Sequence, residues 1–286
     1  MKILFALLSV VLFSSTNSFA QSQSSTLAQI KETGKVRIGY RKSEPPMSFL
    51  NKEGKPIGYS IDVCNRIVID IKETLNNPDI KVEYVPVDAH DRFTALSDNK
   101  IDILCGSTTK TMSRSKLVDF TQLTFVTGAS LMTLKGKEFK DFSELDDKKV
   151  GVVENTTTLK HLENILKQSF SLANVKQYKS ADDALDGLRK GEIAAFSSDQ
   201  VILIGLIITA EDKENFNISP NVFSYEPFAL AVRHNDNEFM FIANSTISKL
   251  SRSGQILKLY KKWFGGFSEE IPPLIEALYK LNAIPK

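Results

Sequence analysis

Three arginines occur in this sequence where an apolar, strand-like stretch gives way to polar residues. Arg41 follows "VRIGY", Arg92 follows "VEYVPVDAHD", and Arg114 closes the hydroxyl-rich run "GSTTKTMS". A guanidinium group is permanently charged, and its planar fork of N–H donors matches a carboxylate through two parallel hydrogen bonds. The three positions therefore predict carboxylate binding.

Other polar residues follow further predicted strands. Ser107 and Thr109 come after "IDIL", Thr156 comes after "VGVVEN" at the start of a predicted helix, and Asp199 comes after "IAAFSS". Backbone amides at a helix start favour an anion, whereas the Asp199 carboxylate suits a cation. One cation-binding group among several anion-binding groups predicts an amino acid with an acidic side chain as the ligand.

The same residues also fit ordinary structural roles. A strand-end arginine is commonly a solvated charge, and "ENTTT" and "SSDQV" both fit helix N-caps, which Thr, Asn and Asp supply well. Phe49 could stack on a ligand or pack in the core, and we retain it as a candidate ligand contact. The coincidence of these residues at five strand ends favours a binding site.

The elements that would position these residues alternate along the chain. Strands are predicted at "KVRIGY", "IKVEYVPV", "KIDILCG", "KKVGVVE", "NVKQYK" and "IAAFSS", with helices between them. The pattern starts at Val36 and restarts after Lys135. Such alternation predicts an α/β protein with two mostly parallel sheets. Ligands of such sheets bind outside the carboxyl ends of the strands.

Two extended apolar stretches, near residues 123–134 and 221–234, are predicted to cross between the two halves as hinge strands. Lobe 1 would then comprise residues 27–126 plus 229–286, and lobe 2, residues 130–225, would be inserted into it. Two α/β lobes on a two-strand hinge enclose a cleft, which is a favoured place for a ligand.

The first 20 residues predict a cleaved secretory signal peptide. Lys2 precedes an apolar run over residues 3–13, and small residues at Ser18 and Ala20 fit cleavage after Ala20. We therefore expect an exported protein. The 36 basic and 34 acidic residues nearly balance, which gives no electrostatic footprint for nucleic acid. A monomer is expected.

The remaining reactive residues predict no catalytic or cofactor chemistry. His90, His161 and His234 are not at metal-ligand spacing, and no nucleotide or hydrolase motif occurs, so no metal, cofactor or catalytic residue is expected. Cys64 and Cys105 are expected to be free buried thiols, with a disulfide as the alternative for an exported chain.

The chain resembles the amino-acid (family 3) solute-binding proteins, which are the periplasmic receptors of ABC importers. "IDILCGSTTKTMSRSKLVDF" and "DFSELDDKKVGVVENTTT" carry the resemblance, which extends in order over residues 27–267. It implies a type II periplasmic-binding-protein fold, with two Rossmann-like α/β lobes, and an ABC permease of the inner membrane as partner. "CGSTT" and Arg41 make the chain most similar to the glutamate/aspartate-binding branch.

The resemblance also implies how the ligand's common groups are held. Arg114, helped by Thr109 and Thr156, matches the family's arginine for the α-carboxylate. Ser107 and Asp199 match the positions that hold the α-ammonium. These five residues would recognise what all amino acids share, so they do not identify the ligand.

By the same resemblance, Arg41 and Arg92 would bind the side-chain carboxylate of the ligand. The sequence departs from the acidic branch at Ala89 and Ala181, where that branch carries a Ser and a His. Each lost hydrogen bond to a charged group is worth about 1.5–3 kcal/mol, so the discrimination between ligands could be relaxed. Glutamine, asparagine or another polar amino acid therefore stays open as the alternative ligand.

An enzyme is the alternative from a different class. Some proteins that share the implied fold are cyclohexadienyl dehydratases, which need a general acid beside the departing hydroxyl group. The sequence predicts no spare carboxylate in the cleft, and Glu154 is the nearest candidate. We therefore expect a binding protein.

Overall fold

A computed structural model describes residues 25–267 and 270–286. The predicted signal peptide lies outside the described residues. No helix in the described ranges is both long and apolar enough to cross a bilayer. In chain order the elements are α1 (Thr26–Thr33), β1 (Lys35–Tyr40), β2 (Ser43–Glu44), β3 (Ser48–Leu50), β4 (Pro56–Ile57), α2 (Tyr59–Thr74), β5 (Lys81–Pro86), α3 (Arg92–Ser97), β6 (Ile103–Cys105), β7 (Asp119–Thr127), β8 (Ala129–Leu134), β9 (Lys149–Val153), α4 (Thr157–Gln168), β10 (Asn174–Tyr178), α5 (Ala181–Arg189), β11 (Ala195–Asp199), α6 (Gln200–Thr209), β12 (Phe216–Ile218), β13 (Glu226–Val232), α7 (Asn237–Arg252), α8 (Gln255–Phe264) and α9 (Pro273–Asn282).

The first sheet has the strand order β5-β1-β6-β13-β7. Strands β5, β1 and β6 are parallel, whereas β13 is antiparallel to both β6 and β7. Helix α2 packs on this sheet because Ile61, Cys64, Val68 and Ile71 recur at helical spacing and are all buried. Helices α7 and α9 contact β7. We call the unit built on this sheet lobe 1.

The second sheet has the order β10-β9-β11-β8-β12. Strands β10, β9 and β11 are parallel, and β8 runs antiparallel to β11 and β12. Helices α4 and α5 start where the hydroxyls of Thr156 and Ser180 accept hydrogen bonds from backbone amides of the first helical turn. We call this unit lobe 2. The fold class is therefore α/β with two lobes, as the sequence predicts.

The two lobes are joined where β7 passes into β8 and where the chain enters β13. A Cβ added at Gly128 would lie 2.4 Å from the carbonyl oxygen of Ser224, so the two crossings pack directly on each other. The Ala129 amide donates a hydrogen bond to the Ser224 hydroxyl at 2.9 Å. Both crossings fall inside the predicted hinge stretches, and we propose that Gly128 and Ser224 mark the hinge.

Some elements of the structure were not predicted from the sequence. Strands β2, β3 and β4 form a small antiparallel sheet that was not predicted. A 3₁₀ turn over Phe142–Leu145 precedes β9. The very apolar helix α6 is a packed helix of lobe 2, where it contacts β8, β11 and β12.

The expectation of free thiols is wrong, because Cys64 and Cys105 form a disulfide. Cys64 lies on the buried face of α2, and Cys105 ends β6, the strand against which α2 packs. Their Cα atoms are 6.4 Å apart, within the range that a disulfide spans. The bond thus ties a helix to the strand that leads into the hydroxyl-rich run.

Lobe 2 contacts the small sheet of lobe 1 through two helices, and the contact is closest at α6. Helices α5 and α6 both contact β2 of the small sheet. A Cβ added at Gly205 of α6 would lie 2.2 Å from the carbonyl oxygen of Pro45, in the turn after β2. The lobes are therefore closed on each other in this structure, and Gly205 allows the backbone approach.

Candidate functional site

Seven of the eight predicted ligand-binding residues line one cleft between the lobes. The empty space in and around the cleft, including open solvent at its mouth, is about 490 Å³. It forms because the carboxyl ends of the strands in both sheets face each other. Lobe 1 and the loops after its strands supply Arg41, Arg92, Ser107, Thr109 and Arg114, and lobe 2 supplies Thr156 and Asp199.

Phe49 is the exception among the predicted residues. It lies on β3, and its ring packs edge-to-face against Trp263 of α8 with 5.9 Å between ring centroids. It is not among the residues that line this cleft. Phe49 therefore has the packing role that the sequence analysis gave as the alternative to ligand contact.

Arg41 is paired with a carboxylate that sequence reasoning missed. Its Nη2 lies 3.0 Å from Oε1 of Glu44, and the two side chains are only 10% and 13% exposed. The other oxygen of Glu44 accepts a hydrogen bond from the Ser107 hydroxyl at 2.5 Å. Glu44 therefore connects the residue predicted for a side-chain carboxylate with one predicted for the α-ammonium.

Arg92 is buried and bridges the two lobes. Its guanidinium donates to the carbonyl of Ala89 in lobe 1 and, at 3.1 Å, to the carbonyl of Asn155 in lobe 2. It also stacks over the Phe93 ring, 4.5 Å from the centroid. Burial lowers its pKa to about 9, and the positive charges of Arg114 and Arg41 contribute to this. Arg92 thus remains cationic at neutral pH.

Arg114 lies in the cleft at the end of the hydroxyl-rich run. Its Nη1 donates to the carbonyl of Thr109 at 2.8 Å, which leaves the rest of its fork free to meet a carboxylate. Burial lowers the pKa of Arg114, and the nearby carboxylates of Glu226 and Asp199 oppose that effect. The position fits the predicted role of binding an α-carboxylate.

Asp199 ends β11 and is buried in the cleft wall. Its Oδ1 has no hydrogen-bond partner among the described residues, and neither does the buried hydroxyl of Ser197 two residues earlier. Burial raises the pKa of Asp199 well above its usual value, with Glu226 and Glu44 adding repulsion. A buried oxygen without a donor is costly, so this carboxylate is suited to accept from an ammonium group.

Thr156 has the capping role that was the alternative for "ENTTT". Its hydroxyl accepts from the Leu159 amide at 3.2 Å and donates to the Val153 carbonyl at 2.7 Å. Thr156 nevertheless lines the cleft, as do Thr157 and Thr158 at the same helix start. The backbone amides of this turn remain available for an anion.

A second carboxylate, Glu226 at the start of β13, was also missed. Its Oε2 accepts from Thr109 of lobe 1 at 2.6 Å and from Thr157 of lobe 2 at 2.7 Å. Its Oε1 accepts from Ser224 at 2.8 Å, and His161 Nε2 lies 3.6 Å from the same oxygen. The fully buried Glu226 therefore joins both lobes beside the hinge.

The charges of this region are more balanced than the sequence predicted. Three guanidinium groups are accompanied by three carboxylates, those of Glu44, Asp199 and Glu226. The prediction of a single carboxylate is thus wrong. Glu44 could have been suspected from its position three residues after Arg41. Glu226 gave a weaker signal, an acid inside an otherwise apolar crossing.

Ala181 lines the cleft, and Ala89 is buried with its carbonyl bonded to Arg92. Neither side chain offers a hydrogen bond. The part of the chain that the structure describes has no cluster of His, Cys, Asp and Glu able to hold a metal ion.

Comparison with known proteins gives consistent matches over most of the chain. The family model of bacterial extracellular solute-binding proteins, family 3, matches residues 36–266. The glutamate/aspartate import solute-binding protein of Escherichia coli (strain K12) is 33% identical over 254 residues, which are 89% of this chain and 83% of the relative. The L-glutamate/L-aspartate-binding protein of Pseudomonas aeruginosa is 33% identical over 275 residues, or 93% of this chain and 90% of the relative.

A solved structure shows the same fold. It is an ancestral amino acid-binding protein described as a precursor of cyclohexadienyl dehydratase, with 26% sequence identity and a TM-score of 0.73. The match covers 84% of this chain and 100% of the ancestral protein.

Proposed function

The chain belongs to the bacterial extracellular solute-binding proteins of family 3, and on that premise we propose that it is the periplasmic receptor of an amino-acid ABC importer. The observation that carries the proposal is the meeting of three arginines and Asp199 in one cleft between two lobes. The arginines suit carboxylates, and the buried Asp199 suits an ammonium group.

We propose an acidic L-amino acid, glutamate or aspartate, as the ligand. Arg114 and the amides at the start of α4 would bind the α-carboxylate, and Asp199 would bind the α-ammonium. Arg41 and Arg92 would bind the side-chain carboxylate. The names of the E. coli and P. aeruginosa relatives support this choice.

The proposed cycle uses the contacts seen across the cleft. Ligand would enter between parted lobes, and the lobes would then close, bringing together the pairs that join them, such as Arg92 with Asn155. The closed form would dock on a permease of the inner membrane and release the amino acid there. We propose that the mature protein is an exported monomer without cofactor.

We propose no catalysis, although Glu44 and Asp199 line the cleft and Glu226 lies beside it, bonded to Thr109 and Thr157. Glu44 is engaged by Arg41 and Ser107, and Glu226 accepts from three hydroxyl groups. A general acid needs a proton that it can give to a departing hydroxyl. Asp199, whose pKa is raised by burial, is the carboxyl group that could hold one, and we assign it to the ligand's ammonium group instead. Prephenate and arogenate should therefore be recovered unchanged after incubation with the protein, and turnover of either would refute this part.

The direct test is a thermal-shift screen of the purified protein against all the amino acids, followed by calorimetry with the binders. A ligand that binds the native state raises its apparent stability. Glutamate or aspartate should be among the amino acids that give the largest shifts. A preference for a basic amino acid, or no binding of any amino acid, would refute the proposed ligand class.

A substitution tests the role of Arg41. Arg41→Ser should weaken glutamate binding about tenfold to hundredfold, because a hydrogen bond to a charged group contributes about 1.5–3 kcal/mol. Arg66→Ser, at an exposed position of α2, is the matched control and should leave the affinity unchanged. Unaltered glutamate affinity in Arg41→Ser would remove Arg41 from the binding site.

A further inference from the structure

Glu44 is paired with Arg41, the residue predicted to bind the ligand's side-chain carboxylate. Both of its oxygens are engaged, one with Arg41 Nη2 at 3.0 Å and the other with the Ser107 hydroxyl at 2.5 Å. A Cβ added at Gly106 would lie 2.9 Å from Arg41 Cγ and 3.8 Å from Glu44 Oε2. The missing side chain at Gly106 thus lets the ion pair lie close against the backbone.

This pairing changes what Arg41 offers to a ligand. An unpaired guanidinium selects a carboxylate strongly, but here a protein carboxylate already shares its charge. A ligand carboxylate that approached Arg41 would also approach Glu44, and two carboxylates that share a site repel each other. Arg92 adds a positive charge nearby, but two of its donor groups are directed to the carbonyls of Ala89 and Asn155.

A side-chain carboxamide meets the Arg41–Glu44 pair without that conflict. Its oxygen only accepts hydrogen bonds and its nitrogen only donates them. The oxygen can therefore accept from Arg41 while the NH₂ group donates to Glu44. Ala89 and Ala181 supply no additional donor that would favour the acid over the amide.

We propose that Glu44 is the specificity-determining residue of this cleft, and that its pairing with Arg41 lets the protein bind glutamine or asparagine about as well as the corresponding acid. The inference rests on the proposed amino-acid-binding function and concerns the ligand's side chain alone. Ser107, whose hydroxyl donates to the other oxygen of Glu44, keeps its proposed role of holding the ligand's α-ammonium group.

The test measures the dissociation constants of L-glutamate and L-glutamine by calorimetry, for the wild type and for Glu44→Gln. In the wild type the two constants should lie within about tenfold of each other. Glu44→Gln should shift the ratio towards glutamate by about tenfold or more, because one of two repelling carboxylates is removed. Glu44→Asp keeps the charge and should retain the wild-type preference.

Glu53→Gln is the matched control, since Glu53 is exposed in the turn between β3 and β4 and does not line the cleft. It should leave the ratio unchanged. A wild-type preference for glutamate beyond tenfold, or an unchanged ratio in Glu44→Gln, would overturn the inference while the receptor function stands. A wild-type preference beyond tenfold overturns the inference even if Glu44→Gln does not fold, and a wild-type ratio within tenfold that Glu44→Asp retains supports it. Absence of binding by any amino acid would refute the receptor function and the inference with it.

Discussion

Gly205→Ala should prevent full closure of the two lobes and so weaken ligand binding. Gly205 lies within α6 of lobe 2, and a Cβ there would sit 2.2 Å from the Pro45 carbonyl oxygen of lobe 1. The same Cβ would lie 2.4 Å from the Pro45 carbonyl carbon and 2.8 Å from Pro46 Cδ. Backbone atoms cannot rotate away as a flexible side chain can, so the lobes themselves must separate.

The magnitude follows from the cost of overpacking. Forcing an extra carbon into a packed contact costs about 1–3 kcal/mol, and that cost falls on the closed form alone. Since about 1.4 kcal/mol is a factor of ten in affinity, the dissociation constant should rise about fivefold to hundredfold. Within α6 the same change replaces Gly by a better helix former, which favours lobe 2 by about 0.5–1 kcal/mol. Binding should thus weaken while the ligand-free protein keeps its stability.

Calorimetry gives the affinity, chemical denaturation gives the stability, and small-angle scattering with saturating ligand gives the degree of closure. Gly187→Ala is the matched control, since Gly187 is also helical but its added Cβ would meet the Tyr178 hydroxyl at 2.1 Å, within lobe 2. That control should lower stability and leave closure intact.

The reasoning would be refuted if Gly205→Ala bound ligand as tightly as the wild type and reached the same compact form. Such a result would mean that the backbone approach of α6 to Pro45 is not needed in the bound state. Equal loss of affinity in Gly187→Ala would also contradict it, because the effect would then reflect damage to lobe 2.

Two further predictions concern Asp199 and the disulfide. Asp199→Asn should weaken amino-acid binding about tenfold to hundredfold in calorimetry. Because burial raises the pKa of Asp199, its contribution to ligand-free stability is present below the usual value of 3.8 and is lost as the pH rises through the raised value. Urea unfolding at pH 4 and pH 8 should therefore show Asp199→Asn gaining stability relative to the wild type at the higher pH, and a constant difference would contradict this. Replacing both Cys64 and Cys105 by Ser should lower the free energy of unfolding by about 2–4 kcal/mol with ligand binding retained, and unchanged urea unfolding would contradict it.

The regular elements were predictable because their residues repeat at helical or strand spacing. Strand β1 coincides with the predicted "KVRIGY", and α2 lies between two predicted strands, as the alternation requires. The small sheet was not predictable in this way, since β2 and β4 are two residues long and carry no period. The pairing of Cys64 with Cys105 depends on how α2 packs on β6, which is a tertiary contact.

The site was predictable as far as strand ends define it. Arg41 and Ser107 follow strands and Asp199 ends one, and the topology of parallel sheets places such residues at one edge. Glu44 and Glu226 lie outside that rule, one on a two-residue strand and the other at the start of a crossing strand. Their effect depends on ion pairs and hydrogen bonds between segments far apart in the chain, which no local pattern records.

The close packing of Gly128 on Ser224 has a practical consequence for following this protein in solution. With the hinge at Gly128 and Ser224 as proposed, two connections that touch each other would act as one pivot and leave the lobes a single principal rotation. One distance across the cleft mouth should then report the entire motion. A donor and an acceptor fluorophore, one on each lobe, would convert that distance into an optical signal of amino-acid concentration.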